Sequence, residues 1–103
     1  MIPCVCIDNS NCPIDFPLPS QWIQKGSEYH IIAIDYVPLS ETIGFKLHEK
    51  RDERFSPYLY FKCDRFAFEE KYTEDIIAMI ERTYQLPEEE KVKVREKLKP
   101  QEV

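Results

Sequence analysis

Glycine is scarce in this sequence: Gly26 and Gly44 are the only two among 103 residues. Neither a G-x-G-x-x-G dinucleotide fingerprint nor a P-loop can be built from them, because both need several glycines to bring backbone N–H groups against phosphate. Histidine is equally rare. His30 and His48 stand in no H-E-x-x-H helix, nucleophile elbow or zinc-deaminase pattern. No apolar run approaches the roughly 20 residues that a membrane-spanning helix requires, so no membrane association is expected. Met1-Ile-Pro-Cys4 has no basic stretch and leads into no long apolar segment, which reads as a chain without a secretory signal and places it in the cytoplasm. Positive charge is also short, with 14 Lys and Arg against 19 Asp and Glu and a net charge of −5. Nucleic-acid affinity rests on clustered cations. The one basic stretch, Lys46, Lys50, Arg51 and Arg54, is interleaved with Glu49, Asp52 and Glu53, so nucleic acid is not the expected partner.

What is present describes one small folded domain. Apolar residues make up 43% and charged residues 32%, too hydrophobic for disorder and enough for a single modest core. Residues 1–8 suit a first strand, with Cys4 and Cys6 on one face and Val5 and Ile7 on the other, so both faces read as covered. Pro13, Pro17 and Pro19 break regular structure between residues 9 and 20.

The most informative stretch runs from Trp22 to Tyr36. Lys25-Gly26-Ser27 forms a turn, and a strand over 29–37 follows, with Tyr29, Ile31, Ala33 and Val37 on one face and His30, Ile32, Ile34 and Tyr36 on the other. Pro38 ends it. Residues 42–48 alternate Ile43, Phe45 and Leu47 with Gly44, Lys46 and His48, and a strand this near in sequence pairs antiparallel with its predecessor. Residues 58–68 read as one or two short strands that turn a corner at Asp64-Arg65.

The period then changes. Thr73 as N-cap, Glu74 and Asp75 in the first turn, and the stripe Ile76, Ile77, Ile80 and Tyr84 predict a helix over 73–85. A second helix is expected after Pro87, where acidic residues lead and basic ones follow, with Val94 and Leu98 as its only i, i+4 apolar pair. The expected organisation is a barrel-like domain over 1–86 and a weakly packed helical tail over 87–103 whose last five residues fray.

Four cysteines, Cys4, Cys6, Cys12 and Cys63, are the first candidates for chemistry. Zinc sites pair cysteines with two to four residues between them within a turn, whereas a C-x-C pair on a strand holds its thiols about 6 to 7 Å apart, too far for one ion unless the strand bends. Cys4, Cys6 and Cys63 therefore read as small buried apolar groups, with zinc binding or a disulfide as alternatives. A catalytic thiol would need His30 or His48 beside it. Carboxylates are plentiful but form no recognisable acid/base pair. No catalytic residue, metal ligand or cofactor is assigned.

The aromatics exceed what one small core requires. Some can serve core and cross-strand pairs, while Trp22, Tyr58 and Tyr60 are the candidates to line a groove for a protein partner.

The pattern Cys4-Val-Cys-Ile-Asp8, Trp22-Ile-x-Lys-Gly-x-x-Tyr29-x-Ile31, Ile43-Gly-Phe-x-Leu47, Pro57-Tyr-x-Tyr-Phe61 and Arg65-Phe-Ala-Phe68 resembles small uncharacterised proteins of bacteria, phages and prophages. It covers residues 2 to 70. The resemblance implies a small SH3-like barrel with a Lys-Gly turn feeding a curved strand, and it implies no activity and no functional residues. The expected fold is thus α+β and mainly β: a small antiparallel SH3-like barrel of about five strands followed by one or two C-terminal helices. The expected role is a non-enzymatic interaction or regulatory module, encoded on mobile DNA, that binds an unidentified protein. A small Cys/His enzyme and a zinc-binding domain are the alternatives.

Overall fold

The computed structural model describes residues 1–98. Five strands, β1 (Ile2–Cys6), β2 (Glu28–Val37), β3 (Thr42–Leu47), β4 (Phe61–Lys62) and β5 (Phe66–Ala67), form one antiparallel sheet in the order β4-β3-β2-β1-β5. Two helices follow, α1 (Thr73–Glu81) and α2 (Glu88–Leu98). This is the mainly-β arrangement with C-terminal helices that the sequence predicts. The sheet stays open, because β4 and β5 are joined by a 3-10 turn over Cys63–Arg65 and do not pair with one another.

β2 is the centre of the sheet and departs from simple alternation. Ile31 pairs with Leu47 but Ala33 pairs with Lys46, so Ile32 is one residue extra, a bulge that reverses which side chains face inward. Tyr29 and Ile31 are buried before it, and Ile34 and Tyr36 pack against the core after it. The alternation expected for Ala33 and Val37 fails for this reason, and Val37 is 43% exposed. β3 needs no correction: Ile43, Phe45 and Leu47 are all buried.

In β1, Ile2, Cys4 and Cys6 are buried while Pro3 and Val5 are half-exposed, so one face is covered, not two. Pro3 lies opposite His30, whose N–H is bonded to Glu49 and not to β1. The pair is therefore one whose backbone groups point away from each other, and a missing N–H at Pro3 costs no ladder bond. The turn before β2 is as expected, with Gly26 at φ +88°.

α1 covers the concave face of the sheet with Ile76, Ile77 and Ile80. It ends at Glu81, short of the expected residue 85. Beyond it the Thr83 and Tyr84 N–H groups both bond the Ile80 carbonyl, tightening the last turn. Thr73 is not the cap: Tyr72 holds that position, and the Thr73 hydroxyl is buried without a partner. α2 starts immediately after Pro87. Its Val94 and Leu98, at 1% and 2% exposure, belong to the same core cluster as the sheet. The fraying expected of residues 99–103 falls outside the described residues. No described helix is long and apolar enough to cross a membrane.

Leu98→Ala should lower stability by about 2–5 kcal/mol, the range for emptying a buried leucine site. Val92→Ala, at a position 53% exposed, should change it by less than about 0.5 kcal/mol. Urea denaturation of the two variants measures this, and equal effects would mean that α2 is not docked through its Val94–Leu98 stripe.

Candidate functional site

The three aromatic candidates divide. Trp22 is 8% exposed and belongs to the core. Its indole N–H donates to the Asn9 carbonyl at 2.8 Å, Phe16 meets its ring edge-on at 5.0 Å, and the Arg65 guanidinium lies 5.5 Å from the ring centroid. Tyr58 is half-buried against the same Phe16, and its hydroxyl donates to Asp15 at 2.6 Å. Tyr60 stands apart from both. It is 44% exposed and leans over Gly44, where a Cβ would come within 3.1 Å of the Tyr60 Cβ. Trp22 and Tyr58 are thus brought together through Phe16, and Tyr60 belongs to a different surface.

That surface is the convex face of the sheet, on the side away from the Ile76, Ile77 and Ile80 stripe of α1. Cross-strand register sets Ala33 beside Lys46, Asp35 beside Gly44 and Gly44 beside Lys62, with Val37 beside Thr42 at the end. The missing side chain at Gly44 leaves room that Tyr60 fills, and Gly44 is buried beneath it. Lys46, Lys62 and Asp35 have no ion-pair partner among the described residues. Val37, Lys46 and Lys62 carry no local signal that marks them for binding. The glycine inside a strand pattern does, since it points to a close approach by another group.

The thiols are placed as apolar packing. Cys4, Cys6 and Cys63 are buried, and Cys12 is half-exposed. Burial pushes the Cys4 thiol up to about 12 and the Cys63 thiol up to about 11, and raises Cys6 as well, so all three stay protonated at neutral pH. The Cys12 and Cys63 sulfurs approach the carbonyls of Pro13 and Lys97 at 3.7 and 3.8 Å. No cysteine is hydrogen-bonded to a histidine among the described residues. Nor do three His, Cys, Asp or Glu side chains gather there as a metal cage.

Each histidine has a partner. Glu49 forks onto His30, with Oε1 accepting the backbone N–H at 2.8 Å and Oε2 lying 2.6 Å from Nδ1. A carboxylate only accepts, so Nδ1 carries the proton that is shared with Glu49. Burial pushes the Glu49 carboxyl up, but the ring and backbone hydrogen bonds from His30 outweigh it and hold the group below its ordinary value. His48 lies against Arg51, which donates to the His48 carbonyl at 2.5 Å. The Glu49 carboxylate also lies near enough to the buried Cys4 thiol to help raise its pKa.

No family model, no curated protein and no solved structure matches the chain.

Glu49→Gln should cost about 1 kcal/mol at neutral pH by weakening the fork on His30. Because the folded-state carboxyl is depressed, that contribution is complete above its ordinary pKa of 4.5 and is lost as pH falls through the lower folded value. Denaturation midpoints of wild type and variant should therefore converge below pH 4.5. A gap that stays constant to pH 3 would remove Glu49 ionisation as the cause. In a thiol titration of the native protein, Cys12 should react first and the three buried thiols only on unfolding. Fast modification of Cys4 or Cys63 would contradict their packing.

Proposed function

We propose that the protein is a non-enzymatic interaction module that engages another protein through the convex face of its sheet. The observation that carries this reading is the apolar surface beside Gly44, where Tyr60 and Val37 are 44% and 43% exposed. Exposed rigid aromatic surface is what protein interfaces favour, and Lys46 and Lys62 beside it have no ion-pair partner among the described residues. The part of the partner that fits is an extended segment with an apolar side chain to lie against Tyr60 and Val37 and carboxylates for Lys46 and Lys62. A regulatory role on mobile DNA is part of the proposal through the resemblance of the strand motifs.

Affinity capture from native lysate tests it. Tyr60→Ser and Val37→Arg, both at exposed positions, should each abolish a specific co-purifying protein while leaving the circular dichroism spectrum unchanged. Tyr58→Phe, which removes only the hydroxyl bonded to Asp15, should retain it. Retention of the same protein by both convex-face variants would refute this face as the binding surface.

A further inference from the structure

One flank of α1, at the rim of its packed face, carries a pattern that the sheet face does not explain, with Met79 half-buried against the core. Asp75, Ala78, Met79 and Arg82 stand at i, i+3, i+4 and i+7, on one side of the helix, with Arg82 continuing its backbone geometry as the capping residue. Asp75, Ala78 and Arg82 are exposed. The neighbouring charges on α1 are taken, Glu74 by Arg95 at 3.0 Å and Glu81 by Lys91 at 3.6 Å. Asp75 and Arg82 have no ion-pair partner among the described residues. Asp75, Ala78, Met79 and Arg82 line one wall of an open groove of about 390 Å³ whose other lining includes Ile2, Ile32 and Tyr72.

We infer that the occupant of this face is a second copy of the chain, paired as an antiparallel α1–α1 dimer about a two-fold axis. The charge pattern is its own complement. An antiparallel copy centred between Ala78 and Met79 sets Asp75 against Arg82 of the partner subunit and Arg82 against the partner's Asp75. The two charges are seven residues, about 10 Å, apart along the axis, so both pairs close at once. At the centre each Met79 meets the partner's Ala78, a small residue that lets the helices approach and a flexible thioether that fills the gap. Such self-complementarity is what an isologous interface requires, because the same patch serves both subunits. The surface is separate from the convex sheet face, so the inference does not rest on the proposed partner.

Sedimentation velocity on the full chain over a concentration series tests it with four proteins. Wild type should dimerise, and Asp75→Arg and Arg82→Asp should each weaken the dimer by at least about tenfold, because one substitution turns both ion pairs repulsive. The double variant Asp75→Arg/Arg82→Asp should recover association, since exchanging both charges restores both pairs. Raising the salt should weaken the wild-type dimer. Circular dichroism melting checks that each variant is folded. Should arginine near the start of α1 unfold the protein, Asp75→Asn and Arg82→Gln replace the reversals, each expected to weaken the dimer and neither to be rescued by the other. A wild-type chain that sediments as a monomer at the highest attainable concentration overturns the inference. So does a folded charge-reversal variant that dimerises as wild type does.

Discussion

A connected line of aromatic rings holds this structure together where hydrogen bonding cannot. Phe55 stacks on Phe16 at 5.6 Å, Phe16 meets Trp22 at 5.0 Å, and Trp22 meets Phe61 at 5.3 Å. Phe61 then contacts Phe66 at 6.3 Å, Phe66 contacts Phe45 at 6.1 Å, and Phe45 contacts Phe68 at 6.4 Å. β4 and β5 are two residues each, too short for their backbone bonds to fix them. Their first residues, Phe61 and Phe66, are links in this line, and ring pairs at roughly 0.5–1.5 kcal/mol each, beyond their burial, supply what the ladder lacks. The irregular segments before β2 and β4 are fastened to the same line through Phe16 and Phe55. Much of the aromatic content that looks surplus in the sequence is thus structural, which is why Trp22 offers almost nothing to a partner.

Polar side chains finish the edges that the strands leave incomplete. β3 ends at Leu47, and Glu49 takes over its role for the next β2 residue by accepting the His30 N–H. Arg65 does the same at the other end, donating to the Ser10 carbonyl at 2.7 Å and the Asp8 carbonyl at 3.3 Å while its own carbonyl accepts from Ile7 and Asp8. Its guanidinium lies over Trp22, so one residue ties the first loop both to the sheet corner and to the ring line. Charge in this protein is spent locally on backbone groups before it is available for binding.

The elements whose periodicity is carried by consecutive side chains were legible in the sequence: the β2–β3 hairpin, the corner at Asp64–Arg65 and the Ile76–Ile77–Ile80 stripe. Features decided by tertiary geometry were not. A bulge at Ile32 leaves no mark in composition, yet it exchanges the faces of Ala33 and Ile34, and the open sheet follows from where Cys63–Arg65 turns. The site was less legible still. Trp22 and Tyr60 look equivalent as aromatics in a row of residues, and only the loop that covers one and the glycine that leaves room for the other separate them. Glu49 reads as one acid in a mixed-charge stretch until the end of β3 puts it beside His30.

The two proposed surfaces differ in the kind of partner that their charges admit. The convex sheet face pairs two lysines with one aspartate around Gly44, a distribution with no symmetry of its own, and an asymmetric patch calls for a different molecule. The α1 face places one acid and one base equidistant from a small-residue centre, which a two-fold axis maps onto itself. A chain with net charge −5 repels its copies at long range, but at physiological ionic strength charges separated by more than about 8 Å are largely screened. Contacts at the helix face then decide the outcome, and there two attractive pairs close for every dimer formed. The overall charge sets how slowly two copies meet, while the Asp75–Arg82 spacing sets how they fit.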